Sequence, residues 1–304
     1  MPQLGSFWMI ICAISFALMS ICVKLLGSHF STPEIVFWRM LPATILLLLI
    51  AKLRAQTVKT VHIKSHITRA LLGTGALTLN FFSITHLPLA TAVTLTYTSV
   101  IWMAAFSVFL LKRKVSIFVF LCAVLGLIGV IILLRPSGSS GQTLYILLGT
   151  LTGMLSALAY IQVKELTLLQ EPEWRIVFYF SLIAACVTGI WSAIIGFHPI
   201  DYKSIELIAG LSITSLIGQL AMTLAYSQGD LLISSIFSYL TIIFSFVCGA
   251  VILGEKLGAV ETLGILIILS SGILSSIADY FNLKKGMIFE KEIILFYDKI
   301  AVLH

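Results

Sequence analysis

Residues 89–134 read LATAVTLTYTSVIWMAAFSVFLLKRKVSIFVFLCAVLGLIGVIILL. Two long runs without a charged residue flank the basic triplet Lys112-Arg113-Lys114. A membrane-spanning helix needs roughly 20 consecutive, mostly apolar residues, so each run is long enough to cross a bilayer. Because the join is so short, the two helices must run antiparallel. This stretch therefore predicts a helical hairpin inside a membrane.

The same pattern extends along the whole chain. Of its 304 residues, 59% are apolar and only 11% are charged, whereas soluble domains carry about 25% charged residues. The composition excludes a soluble globule and predicts an all-α membrane protein. Charge-poor runs predict ten transmembrane helices, which we number as spans one to ten: Ser6–Leu26, Ile35–Ala51, Ala70–His86, Leu89–Leu111, Val115–Leu134, Leu144–Val163, Ile176–Gly196, Leu207–Tyr226, Leu231–Leu253 and Leu257–Ile277.

A Gly/Ser-rich linker divides these spans into two halves of five. The linker is Ser137-Gly138-Ser139-Ser140-Gly141, and an odd number of spans before it means that the second half enters the membrane from the opposite side. This predicts two inverted five-helix repeats, residues 1–136 and 142–279, followed by a tail at 280–304. With both termini in the cytoplasm, 14 of the 19 Lys and Arg residues fall in cytoplasmic segments and four outside, as expected for a multi-pass protein of the bacterial inner membrane.

Several other classes of function are not supported by the sequence. The formal charge of +6 comes from short loops rather than from a basic stripe with interleaved aromatics, so we expect no nucleic-acid partner. The five cysteines lie in apolar runs without a CxxC pair. His62 and His66 have helical metal-ligand spacing but no carboxylate or cysteine beside them. We expect no metal, no cofactor and no enzymatic activity.

Ionisable residues inside spans are costly, by roughly 2.5–3.5 kcal/mol at the bilayer centre, and Arg39 is the clearest example. It could attract an anionic substrate group, or it could extend toward water or pair with Glu34. Lys24, Lys164 and His86 lie near span ends. They are candidates for the mouths of a pathway, with ordinary interfacial anchoring as the alternative.

Polar residues within spans are candidates for the wall of a cavity. On span nine, Ser234, Ser238, Thr241, Ser245 and Gly249 recur on one helical face. Small residues can allow close helix packing or can line a wet cavity, and both interpretations stay open. The substrate-binding candidates are Arg39, Asn80, Thr94, Tyr97, Thr98, Ser156, Tyr160, Gln219, Ser238, Thr241 and Ser245.

Three segments resemble EamA-type transporters of the drug/metabolite transporter superfamily. Residues 84–92, ITHLPLATA, resemble that family's junction between spans three and four. Residues 225–230, AYSQGD, and 253–257, LGEKL, resemble the equivalent region of its second half. The resemblance implies ten helices around a central cavity. The chain has no proline near Val100 or Ile242, where the family usually does, so no proline kink is predicted there.

The resemblance implies a secondary transporter that works by alternating access. We expect its cargo to be a small polar metabolite, such as an amino acid or a derivative, and the direction to be export. The alternatives are an importer of a nucleoside-like metabolite such as S-adenosylmethionine, or a membrane scaffold that transports nothing. The expected partners are a small-molecule substrate and the lipid bilayer, with the protein as a monomer or homodimer.

Overall fold

The computed structural model describes residues 5–86, 95–109, 116–134, 143–253, 258–260, 262–275 and 277. These residues form helices and connecting loops and contain no strand. The helices are α1 (Trp8–Leu26), α2 (Thr32–Leu53), α3 (Ile63–His86), α4 (Ser99–Phe109), α5 (Ile117–Leu134), α6 (Thr143–Leu168), α7 (Glu173–Ile195), α8 (Tyr202–Gln228), α9 (Leu231–Phe237), α10 (Leu240–Leu253) and α11 (Thr262–Ser275).

The predicted all-α membrane fold is confirmed. Each predicted span overlaps at least one helix in the described ranges. Four of these helices, α2, α6, α7 and α8, meet the length and hydropathy expected of a complete membrane crossing.

Spans four and nine are not continuous helices. Span four is interrupted at Thr98, and span nine is divided at Ser238 and Tyr239 into α9 and α10. The chain has no proline at Val100 or Ile242, and both interruptions form without one. The face predicted for Ser234 to Gly249 runs across the second interruption.

The two halves of the chain interleave instead of packing side by side. Helix α1 packs against α8 and α10, α2 packs against α7 and α8, and α3 packs against α6 and α7. Close approach is possible where α8 carries Gly218, because a Cβ there would lie 2.6 Å from the Phe16 ring of α1. Any cavity at the centre is therefore lined by helices from both halves.

The loops define two ends of the bundle. At one end, the first turn of α2 meets the α7–α8 loop through Glu34 and His198, and we call this the Glu34 end. At the other end, segment 54–62 meets the α6–α7 loop through Thr60 and Glu171, and we call this the Glu171 end.

Candidate functional site

Arg39 lies inside the bundle on α2 and is only 5% exposed. Its Nε donates a hydrogen bond to the Ser215 hydroxyl of α8 at 2.7 Å. Its guanidinium lies over the Phe16 ring of α1, 5.5 Å from the centroid. The Glu34 carboxylate is engaged by Ser31 and His198, so the alternative pairing of Arg39 with Glu34 does not form. Arg39 therefore joins three helices from both halves.

A cluster of tyrosines occupies the centre, around Tyr160 of α6. The Tyr160 and Tyr226 rings are stacked with centroids 4.5 Å apart. The Tyr97 and Tyr239 rings are 6.0 Å apart. Tyr97 and Tyr160 are surrounded by the other helices, yet each keeps solvent-accessible surface. Both side chains are thus partly buried within the bundle.

Hydroxyl groups on neighbouring residues make polar contacts with this tyrosine cluster. The Tyr160 hydroxyl interacts with Ser156 on its own helix, and the Tyr97 hydroxyl interacts with Thr241 of α10. The Tyr160 hydroxyl also lies within electrostatic range of the Arg39 guanidinium. The structure thus brings together five of the predicted candidates in one place.

Arg69 is a member of this site that sequence reasoning missed. Because Arg69 directly precedes predicted span three, the sequence predicts that Arg69 lies in a cytoplasmic loop. The structure corrects this: Arg69 lies within α3, is 2% exposed, and its guanidinium covers the Phe180 ring at 4.4 Å from the centroid. It also interacts electrostatically with Tyr160. The feature of the sequence that could have indicated this is Gly73, one helical turn after Arg69, because a residue without a side chain leaves room for the guanidinium.

Gln219 lies on α8, one turn after Ser215, and is 5% exposed. Its Nε2 has no hydrogen-bond partner among the described residues. An unpaired buried amide is unfavourable, so this donor is available to a ligand. Gln219 therefore stays a candidate for the cavity wall.

Three other candidates form hydrogen bonds with groups of the protein itself. Asn80 accepts a hydrogen bond from the Thr96 hydroxyl at 2.9 Å, which links α3 to the segment before α4. The hydroxyls of Thr98 and Ser238 bond to backbone carbonyls of their own helices, at Leu95 and Ser235.

The remaining candidates lie toward the ends of the helices or outside the described residues. Ser245 is partly buried on α10. Lys164 donates from Nζ to the carbonyl oxygens of Ser227 and Gly229 at 2.6 and 3.1 Å, and so caps the carboxyl end of α8. This contact favours the anchoring alternative for Lys164. Thr94 and the side chains of Lys24 and His86 lie outside the described residues.

A hydrogen-bonded cluster closes the Glu34 end. The Glu34 carboxylate is fully buried and accepts from the backbone N–H of His198 at 2.6 Å and from the backbone N–H of Ser31 at 2.8 Å. His198 Nδ1 also lies 2.8 Å from Glu34. Aromatic rings of Phe37, Trp38 and Phe197 contact one another beside it. This cluster ties α2 to the α7–α8 loop.

A second cluster closes the Glu171 end. The Glu171 carboxylate accepts from the Thr60 hydroxyl and from Arg175 Nη1, the latter at 2.8 Å, and it lies 3.5 Å from His66 Nε2. Burial alone raises the pKa of the Glu171 carboxyl, but the hydrogen bonds from Thr60 and Arg175 outweigh burial and hold the pKa below its usual range. Tyr179 adds a hydrogen bond from its hydroxyl to the Val58 carbonyl at 2.9 Å.

In the described residues, the tyrosine cluster and two buried guanidinium groups, Arg39 and Arg69, lie between a hydrogen-bonded cluster at each end of the bundle. The carboxylates of Glu34 and Glu171 are engaged in those end clusters. Such an arrangement suits a polar solute that carries negative charge.

Comparisons with known proteins agree with this architecture. An uncharacterized transporter of Helicobacter pylori strain J99 is 28% identical over 278 residues, which cover 89% of this chain and 93% of the relative. A pseudopaline exporter of Pseudomonas aeruginosa strain UCBPP-PA14 is 25% identical over 243 residues, covering 79% of this chain and 84% of the relative. A riboflavin transporter of Brucella anthropi is 25% identical over 231 residues, covering 73% and 80%.

A solved crystal structure shares the fold with a TM-score of 0.80 and 14% identity, covering 91% of this chain and 98% of the other. The sequence model of the EamA-like transporter family matches residues 3–135 and 143–277. The family resemblance predicted from the junction motifs is thereby confirmed, and the chain is a multi-pass membrane protein of the transporter class. It belongs to the EamA-like transporter family.

Proposed function

We propose that this protein is a secondary transporter that exports a small polar metabolite, an amino acid or a derivative, across the bacterial inner membrane by alternating access. The observation that carries the proposal is Arg39. Its guanidinium is buried between helices of both halves, and its partners among the described residues, Ser215 and Phe16, are neutral. A cation held at that depth is costly, and an anionic group of a passing substrate would offset the cost.

The two end clusters supply the alternating gates of this mechanism. Opening the Glu171 end requires separation of segment 54–62 from the α6–α7 loop, while the Glu34 end stays closed. Opening the Glu34 end requires release of the α7–α8 loop from α2. Because the basic loops predict that the Glu171 end is cytoplasmic, substrate would load there and leave at the Glu34 end.

The relatives support this choice of direction and cargo. The pseudopaline exporter matches a larger share of this chain than the riboflavin transporter does, 79% against 73%. The riboflavin transporter keeps import of a nucleoside-like metabolite as the second candidate. The residues around Arg39 and Tyr160 favour a carboxylate-bearing cargo over that alternative, because they offer two cations beside the aromatic rings.

A ligand screen followed by a transport assay tests the proposal. Purified full-length protein is heated with each member of a metabolite panel, because a ligand that binds only the folded state raises the melting temperature. Each stabilising compound is then loaded, radiolabelled, into proteoliposomes, and its efflux is compared with that from protein-free liposomes. We expect efflux of at least one amino acid or derivative. Stabilising ligands that stay inside would contradict the proposal.

Thiol accessibility distinguishes a transporter from a scaffold. In a background with the five native cysteines replaced, Ser238→Cys and Thr241→Cys should react with a small membrane-impermeant thiol reagent, and substrate should protect them. Leu240→Cys should remain unreactive, since Leu240 packs against the apolar core. Absence of reaction at all three positions would indicate a dry helix interface and would favour the scaffold.

A further inference from the structure

The Arg69 side chain runs into the membrane instead of toward the nearest aqueous end. A helical side chain normally tilts toward the amino terminus of its helix, which for α3 is the Glu171 end. Yet a Cβ built on Gly73, one turn toward the carboxyl terminus, would lie only 2.3 Å from Arg69 Nη1. The guanidinium has therefore folded inward along α3, and Phe180 covers it at 4.4 Å. An arginine with an interfacial role would extend the other way.

No carboxylate neutralises Arg69 or Arg39 among the described residues. Arg69 Nε and Nη1 are buried and have no hydrogen-bond partner in the part of the chain that the structure describes. The Arg39 Nε bonds to the neutral Ser215 hydroxyl. Two buried carboxylates of the described residues, Glu34 and Glu171, are engaged in the two end clusters. Two buried cations thus lie within electrostatic range of one phenol, Tyr160, without a protein counter-ion.

A third unpaired donor lies on α8. Gln219 Nε2 is buried and unpaired in the described part of the chain, one helical turn along α8 from the residue that binds Arg39. Unpaired nitrogen donors are therefore present on α3, at Arg69, and on α8, at Gln219. A complementary ligand must bring acceptors to both sides, and charge balance requires two negative charges.

We propose that Arg39 and Arg69 bind the two ends of one substrate, and that the cargo is a metabolite with two carboxylates. The two guanidiniums belong to different helices and enter from opposite ends of the bundle, so a substrate that contacts both would present one acceptor group to each helix. A guanidinium pairs with a carboxylate through two parallel hydrogen bonds. This inference rests on the proposed transport function and narrows its substrate class.

Binding to the full-length protein in nanodiscs of zwitterionic lipid tests this inference. The probes are linear dicarboxylates from succinate to suberate, each compared with its own monoamide, and binding is measured by calorimetry. Wild-type protein should bind at least one diacid about tenfold more tightly than the matched monoamide. Arg69→Gln and Arg39→Gln should each reduce that ratio to about one. Arg54→Gln, which removes an exposed cation at the end of α2, should leave the ratio unchanged.

Melting temperatures without ligand separate a binding role from a structural one. Removing an uncompensated buried charge should leave the melting temperature of Arg69→Gln equal to or above that of the wild type. If Arg69→Gln does not purify, Gly73→Ala displaces the guanidinium while keeping its charge, and the same loss of diacid preference is expected. A lower melting temperature for Arg69→Gln, or no diacid preference in the wild type, would overturn the inference.

The transport assay keeps the two proposals distinguishable. If Arg69→Gln exports a monoanionic metabolite from proteoliposomes at the wild-type rate and wild-type protein shows no preference for diacids, the dicarboxylate site is wrong while the transporter stands. If wild-type protein exports nothing, the proposed function itself fails.

Discussion

The Thr98 and Ser238 hydroxyls make the same type of contact at the points where two helices are interrupted. The Thr98 hydroxyl donates to the Leu95 carbonyl at 2.5 Å, and the Ser238 hydroxyl donates to the Ser235 carbonyl at 2.6 Å. In both cases the side chain bonds to the carbonyl three residues earlier, where the backbone departs from the regular helical pattern. The two residues occupy corresponding spans of the two halves, so spans four and nine are both interrupted beside a hydroxyl and without a proline.

Ser238→Ala should destabilise the protein because it removes the partly buried hydrogen bond from the Ser238 hydroxyl to the Ser235 carbonyl. We expect a loss of about 1 kcal/mol in the free energy of unfolding, measured as a lower melting temperature in detergent. Ser270→Ala is the matched control, since its hydroxyl bonds to Leu266 on an exposed face of the unbroken α11. There, alanine should be neutral or slightly stabilising. Equal losses for the two variants would contradict a special role of the hydroxyl at the interruption.

The sequence predicts the fold well because hydropathy alone decides which segments enter a membrane. The helix interruptions at Thr98 and Ser238 could not be predicted, because serine and threonine also occur in uninterrupted membrane helices. Which hydroxyl bonds to the carbonyl three residues back depends on neighbouring helices.

The candidate site is predictable in part. Arg39 is recognisable from sequence as a charge well inside an apolar run. Arg69 is not, since its position beside Ala70 fits a loop equally well and only the packing of Gly73 and Phe180 shows the guanidinium turning inward. The end clusters form between residues more than 100 positions apart, such as Thr60 with Glu171, and no local pattern specifies such pairs.

Reporter fusions test the orientation of the bundle. Fusions after Lys59 and Lys299 should report the cytoplasm, and a fusion after Ser139 should report the periplasm, because basic residues concentrate on one side. The structure adds a constraint: segment 54–62 and the α6–α7 loop contact each other, so a fusion at Gln170 must agree with the one after Lys59. Opposite signals from Lys59 and Lys299 would contradict both the ten-span topology and the inverted repeat.

Glu171→Gln should weaken the closed Glu171 end. The variant loses charge-assisted hydrogen bonds with Thr60 and Arg175, at a cost on the order of 1–3 kcal/mol. Because the pKa of Glu171 is lowered in the folded protein, its ionised form stabilises the fold above the usual carboxyl pKa of about 4.3, and this contribution disappears as the pH falls through the lower folded value.

The pH dependence of melting distinguishes this role from a packing effect. The difference in melting temperature between wild type and Glu171→Gln should be largest near neutral pH and should shrink below about pH 4. Glu165→Gln is the control, since Glu165 is exposed and bonds only to Gln162 among the described residues. A difference between wild type and Glu171→Gln that stays constant with pH would assign the effect to side-chain shape.

Arg39→Ala should lower export more than Arg39→Lys does, because lysine keeps a positive charge on α2 near Tyr160 while alanine removes it. Neither replacement restores the Nε contact to Ser215 at 2.7 Å, and a lysine cannot reproduce the paired donors of a guanidinium. Initial efflux from proteoliposomes should therefore decrease in the order wild type, Arg39→Lys, Arg39→Ala, with a loss of about tenfold or more for alanine. Ser215→Ala removes the same hydrogen bond but keeps the guanidinium, and it should reduce efflux by only a few fold. Equal efflux by wild type and Arg39→Ala, at matched protein content, would mean that the buried guanidinium does not contact the cargo.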